Sequence, residues 1–282
     1  MPTLVRYVVI ALFLVLAIVA MRYGPWGDLT AEISNENSTP APGIQNLLTA
    51  SRRGDVNAVR KALSDGVDVN ATDPVHGRSA LMRAAAFNHA SVVEALLAAK
   101  ANIAAVDSDT DSVLHIAAEA NAPDVVPLLI RAGANVNAQR KRDGWTPLAA
   151  AVDAQAVGIV RLLLESRADP NRRGAGEPAP IELAIRRGNP TIVAALMASQ
   201  ASLTVSSDVT PTPASLLHLA IENVQKGDAE IVRLLLAARA DANSRDHNGR
   251  TPYERAALMP SPGFAKHGAA LRDVFHAAGV KR

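Results

Sequence analysis

Three aspartates, Asp107, Asp109 and Asp111, alternate along the chain as oxygen ligands do at the start of a calcium-binding loop. The pattern stops there. Ser112 stands where such a loop needs the glycine of its sharp turn, and Ala118 stands where a bidentate glutamate would close the site. A solvated turn fits the triplet better. The run Gly174-Ala175-Gly176-Glu177-Pro178-Ala179 partly fits a dinucleotide fingerprint. It follows no strand of a βαβ unit, and Pro178 falls where the helix under the phosphates should run, so a turn explains it. The chain has no P-loop, no H-E-x-x-H and no G-x-S-x-G elbow. Its seven histidines show no metal-ligand spacing. It has no cysteine, which excludes disulfides, zinc–thiolate sites and a thiol nucleophile. These residues predict no catalytic centre, no cofactor, no metal site and no small-molecule substrate.

Charge and one aromatic remain as binding chemistry. Arg140, Lys141 and Arg142 precede Trp145; Arg172 and Arg173 follow about thirty residues on; Arg186 and Arg187 come next. If the intervening segments are stacked repeats, these clusters fall on neighbouring units and form a basic patch beside an outward Trp145. Asp107, Asp109 and Asp111 form an acidic neighbour, giving a bipolar strip able to orient a protein partner. The alternatives are a core Trp145 and turn tips that are merely solvated. With 29 basic against 27 acidic residues the net charge is only +2, which argues against nucleic acid as the partner.

The elements that would carry these residues repeat. Short-helix starts read Ser79-Ala80-Leu81-Met82, Ser112-Val113-Leu114-His115, Thr146-Pro147-Leu148-Ala149, Ala179-Pro180-Ile181-Glu182, Ser215-Leu216-Leu217-His218 and Thr251-Pro252-Tyr253-Glu254. Their third residues, at 81, 114, 148, 181, 217 and 253, are spaced by 33, 34, 33, 36 and 36. In step with them recur VVEALLAAKANIAA, VVPLLIRAGANVNA, IVRLLLESRADPN and IVRLLLAARADAN. Two landmarks in fixed phase at one period mark a stack of like units. Ser or Thr at each start can cap the first free amides, and Pro suits the first helical turn. The pairs Ala84-Ala85, Ala117-Ala118 and Ala150-Ala151 allow close stacking. No such unit buries its apolar face alone, so the stack must be continuous.

These motifs resemble the ankyrin repeat, with its T-P-L-H-x-A-A, V-V-x-L-L-L and G-A-D-x-N-A elements. The match runs over residues 44–279, with 44–73 as an N-terminal cap and 248–279 as a C-terminal cap. Unit five departs most from the pattern, and unit six carries insertions around 206–213 and 224–226. The resemblance implies an all-α repeat solenoid of about seven helix-turn-helix units, two of them caps, with β-turn fingers. It implies that a protein partner binds on the concave surface. It also implies that His115 and His218, at the histidine of T-P-L-H, make structural hydrogen bonds between turns. The 54 alanines and nine aromatic residues suit so thin a structure.

Ahead of the repeats, residues 4–21 are apolar except for Arg6. As a helix this segment spans about 27 Å, just short of a ~30 Å hydrocarbon layer. Arg6 and Tyr7 flank one end and Arg22, Tyr23 and Trp26 the other, while acids appear only after it. This predicts a transmembrane anchor or signal peptide over 1–23 and a flexible linker over 24–43. In either case the repeat domain is exported: held in the periplasm at the inner membrane, or released after cleavage near Ala20. The function expected is a tethered or exported scaffold for a protein partner. Two alternatives stay open: an immunity or inhibitor protein neutralising a toxin or enzyme in the same compartment, and an accessory factor for an oxidative-stress enzyme.

Overall fold

A computed structural model describes residues 41–204, 215–223, 229–258 and 265–280. The anchor, most of the linker and both unit-six insertions lie outside them. Within the described residues fourteen helices pair into seven units. Unit one is α1 (Pro42–Arg53) with α2 (Val56–Ser64), and unit two is α3 (Ala80–Ala86) with α4 (Ala90–Ala98). Units three and four are α5 (Val113–Glu119) with α6 (Val125–Arg131), and α7 (Pro147–Asp153) with α8 (Val157–Glu165). Units five and six are α9 (Pro180–Arg187) with α10 (Pro190–Ala198), and α11 (Leu216–Glu222) with α12 (Glu230–Ala237). Unit seven is α13 (Pro252–Ala257) with α14 (Ala265–Ala277). No strand forms among these residues; Thr72–Ser79 and Val106–Ser112 make isolated antiparallel bridges at two finger bases.

The local reasons are legible in each unit. Helices of six to nine residues are marginal alone and depend on caps and packing. The side chains of Ser79, Ser112, Thr146, Ser215 and Thr251 accept the amides of Met82, His115, Ala149, His218 and Glu254. Each such cap contributes about 1 kcal/mol. Ala179 has no side-chain oxygen for the task, and α9 begins on Pro180. Second helices bury two adjacent aliphatic residues and a third one turn on: Val92, Val93 and Leu96, then Val125, Val126 and Leu129, then Ile159, Val160 and Leu163. Full burial of each such side chain stabilises by roughly 1.5–3 kcal/mol. First helices pack on first helices along the stack, and Ala84, Ala85, Ala117, Ala118, Ala150 and Ala151 are the buried small residues between them. One buried cluster therefore runs from Leu47 to Phe275. The C-terminal cap closes it with an edge-to-face pair, Tyr253 on Phe275, centroids 5.9 Å apart.

Candidate partner-binding site

Before the first helices of units two to five and of unit seven the chain loops out as a finger. In fingers two, three and seven an aspartate at the base folds the loop by collecting its amides. Asp73 accepts from Val75 (3.0 Å), His76 (2.6 Å) and Arg78 (3.0 Å). Asp107 accepts from Asp109 (3.0 Å) and Asp111 (2.9 Å), and Asp246 from Asn248 (2.8 Å) and Arg250 (2.9 Å). Asp107 also takes Arg78 Nε at 3.2 Å. The aspartate triplet is thus occupied by its own loop and by arginine. Asp107 and Asp111 are buried, and only Asp109 of the three faces solvent. The expected acidic surface strip shrinks to that one residue.

In fingers four and five the base position is reversed in sign: it holds Arg140 and Arg173. Arg140 is 5% exposed. Its Nε donates to both oxygens of Asp143, at 2.7 and 3.0 Å, and its Nη1 to Asp111 at 3.2 Å. Its guanidinium lies 4.8 Å from the Trp145 ring centroid. Asp143 takes over the collecting role by accepting the Trp145 amide at 2.9 Å. Burial pushes Asp143 up, but the Arg140 hydrogen bonds, the Trp145 amide and the charges of Arg140 and Arg142 outweigh it. The carboxyl therefore titrates below its ordinary range. Burial opposes the charge on Arg140, and Asp143 and Asp111 more than restore it. In finger five Arg173 Nη1 donates to the carbonyls of Gly174 and Glu177, both at 3.1 Å.

Trp145 is half-buried rather than outward. Its indole donates to Glu177 at 3.0 Å, and its carbonyl accepts from His115 Nε2 at 3.0 Å. His115 Nδ1 faces Ser112 Oγ at 2.8 Å and accepts the Ser112 amide, which fixes the tautomer as Nε2–H. Burial lowers the His115 pKa, against the Trp145 carbonyl and the Asp111 charge, so the ring is neutral. His218 repeats the arrangement with Ser215 and the Arg250 carbonyl, as the repeat pattern implied.

Fingers four and five are locked edge to edge. A Cβ on Gly174 would stand 1.7 Å from the Asp143 carbonyl oxygen, so no other residue fits there. Gln139 Nε2 bridges the carbonyls of Gly144 (3.0 Å) and Arg173 (3.1 Å). The glycine run is therefore a close-packed turn.

The predicted contact residues separate into groups. Lys141 and Arg172 are exposed, and Arg142 is 45% exposed while facing Asp143 at 3.4 Å, Asp111 at 3.7 Å and Asp109 at 3.8 Å. Arg140, Trp145 and Arg173 sit beneath them and hold the fingers in shape. Arg186 and Arg187 lie at the far end of α9, a helix length of about 12 Å from finger five. Arg187 Nε pairs with Asp153 at 2.9 Å, and Arg186 Nε is buried with no hydrogen-bond partner among the described residues. The three basic clusters are therefore a finger group and a separate floor group. The partners Asp143, Asp153 and Glu177 escaped the sequence reading because single acids carry no motif. Aligning each unit against the others at one position would have exposed the Asp-to-Arg reversal.

A side-chain ladder also links units. Asn70, Asn137 and Asn171 accept the amides of Asn102 (2.7 Å), Asp169 (2.8 Å) and Ser202 (2.7 Å) one unit on. Ala104 occupies the equivalent place in unit two and interrupts it.

Comparison with known proteins agrees with this architecture. A family model described as ankyrin repeats (3 copies) matches residues 31–107, 47–140 and 104–174, and a single ankyrin repeat matches 214–247. The putative ankyrin repeat protein YahD of Escherichia coli is 31% identical over 202 residues, covering 56% of this chain and 99% of that protein. NF-kappa-B inhibitor delta of Mus musculus is 30% identical, covering 66% of this chain and 53% of its own length. The chicken NF-kappa-B p105 subunit is 33% identical, but this chain spans only 16% of it. The crystal structure of the human ASB11 ankyrin repeat domain superposes with a TM-score of 0.67, covering 85% of this chain and 98% of that one; at 20% identity this likeness concerns the fold alone. With the family models covering more than half its residues, the chain belongs to the ankyrin-repeat family.

Proposed function

We propose that this chain is an exported, membrane-tethered ankyrin scaffold that holds a protein partner over units three to five, without catalysis of its own. The ankyrin fold is an interaction scaffold, and fold alone names no partner. The observation that carries the surface assignment is internal. Fingers two, three and seven share an aspartate base, while fingers four and five replace it with Arg140 and Arg173 and add Lys141, Arg142 and Arg172. A scaffold needs no such reversal to fold, since Asp143 has to be recruited to restore the lost amide acceptor. Lys141, Arg142 and Arg172 touch the partner; Arg140, Trp145 and Arg173 position them; Arg186 and Arg187 offer a second contact on the floor. Tethering rests on the apolar residues 4–21 and their flanking anchors. It places the repeats in the periplasm, or free of the membrane if the segment is cleaved.

The test is capture by the full chain from solubilised membranes, with wild type beside Lys141→Glu, Arg142→Glu, Arg172→Glu. The expected result is a protein that the wild type retains and the variant loses, with retention falling as salt rises. Equal retention by a normally folded variant contradicts the surface. Recovery of the full chain in the membrane fraction supports the tether; a mature start at Met21 contradicts it.

A second reading is an inhibitor that neutralises an enzyme or toxin through the same fingers. It is favoured by the likeness to a protein named as an NF-kappa-B inhibitor. Stoichiometric inhibition by the captured complex distinguishes it.

A further inference from the structure

Fingers two to five form one continuous strip. The Ser108 amide donates to the His76 carbonyl at 2.8 Å, the Lys141 amide to Thr110 Oγ1 at 2.5 Å, and Gln139 Nε2 to the Arg173 carbonyl at 3.1 Å. The strip changes character along its length, from apolar at one end to cationic at the other. At fingers two and three it exposes Pro74, Val75 (49% exposed) and Val106 (52%). These valines are two of the four large hydrophobic residues exposed among those described. At fingers four and five it exposes Lys141 and Arg172, whose side chains have no ion-pair partner among the described residues, together with Arg142. Between the two ends stands the exposed carboxylate of Asp109, held by Arg142 at 3.8 Å.

We propose that the partner lays an extended acidic segment along this strip, with an aliphatic anchor on Val75 and Val106 and carboxylates on Lys141, Arg142 and Arg172. The proposal rests on the reading of these fingers as the docking surface and adds the partner's chemistry and spacing. Packed helices lie 8–10 Å apart, so the two unit steps from Val75 in finger two to Lys141 in finger four span about 20 Å, with Val106 one step along. An extended chain advances about 3.3 Å per residue, so about six residues run from the side chain seated on Val75 to the first carboxylate. Those six must be neutral or basic, because Asp109 repels a carboxylate placed over it. The charges set approach and orientation, and the apolar anchor slows release.

The test uses a molecular ruler. Polyproline is stiff and rises about 3.1 Å per residue. Fluorescein-labelled peptides carry two leucines, a spacer of two, six or twelve prolines, and four glutamates, in both chain directions. Binding to the full chain in detergent micelles is read by fluorescence anisotropy at low salt. The expected result is that the six-proline peptide binds at least tenfold tighter than the other two, in one chain direction. Val75→Ser with Val106→Ser removes that advantage and leaves weak acidic binding. Lys141→Glu with Arg172→Glu removes all binding. Circular dichroism checks that both variants fold. Affinity independent of spacer, or indifferent to the valine changes, overturns the proposal; if the Lys141 and Arg172 changes still abolish binding, the docking surface itself survives. Binding untouched by the cation changes, or absent for every peptide at millimolar concentration, overturns the proposal as well.

Discussion

At finger four and the α5 histidine that supports it, two residues make the strongest claims about energy. Arg140 neutralises Asp111 and Asp143 at once, so Arg140→Met leaves two inward carboxylates with only the half-exposed Arg142, 3.7 and 3.4 Å away, to offset them. Breaking a pair of this kind costs about 3 kcal/mol. Urea unfolding should show that loss as a lowered midpoint; an unchanged midpoint would mean that solvent already screens the pair. His115 sets a pH dependence of definite sign. Its folded pKa lies below the ordinary 6.5, because burial disfavours the imidazolium. The unfolded chain therefore takes up a proton near pH 6.5 that the folded chain refuses. Stability falls as pH drops from about 6.5 toward the folded value. Asp143 acts in a lower window: its folded pKa is depressed, so its contribution is present above the ordinary carboxylate value and lost as pH falls through the folded one. His115→Gln should flatten the decline in melting temperature between pH 7 and 5 and leave the steeper loss below pH 4. Equal slopes in both proteins between pH 7 and 5 would show that His115 is not neutral in the fold.

At the scale of the helical unit, neighbouring repeats act as controls for one another. The asparagine ladder runs from Asn70, Asn137 and Asn171 to the next unit but is missing at Ala104, which is exposed and has room. Ala104→Asn should supply an acceptor for the Asn135 amide and raise stability by about 1 kcal/mol. The urea midpoint should rise with an unchanged slope; a fall would mean that the loop after α4 is shaped differently from its counterparts. Unit boundaries were legible in the sequence because caps and paired aliphatics recur in phase: Ser112, Leu114 and Val125-Val126 announce a whole unit. The fingers were legible only in outline. Trp145 reads as outward from its place before Thr146. The structure half-buries it, because Arg140 and Glu177, from two different fingers, converge on its ring. Pairings made across thirty residues by loops of variable length leave no periodic trace. For the same reason Arg186 and Arg187 read as part of the finger patch until α9 carried them to its other end.

Over the whole molecule, stability is a sum of unit terms and interfaces between neighbours, so damage at the centre spreads. Leu148 is 0% exposed between units three and five. Leu148→Asp buries a carboxylate with no cation beside it and should unfold at least the central units. Circular dichroism should lose much of its helical signal at 25 °C; an unchanged melting curve would contradict the register of unit four. The central claim concerns where the partner sits, and it is tested without knowing the partner's name. A photo-crosslinking amino acid is placed in the full chain, one position at a time, at Lys141 and Arg172 on the fingers and at Glu94 and Arg161 on the outer helices α4 and α8. After illumination of intact cells, the account predicts one shared adduct from positions 141 and 172 and none from 94 and 161. Adducts from 94 or 161 with none from the fingers would contradict it.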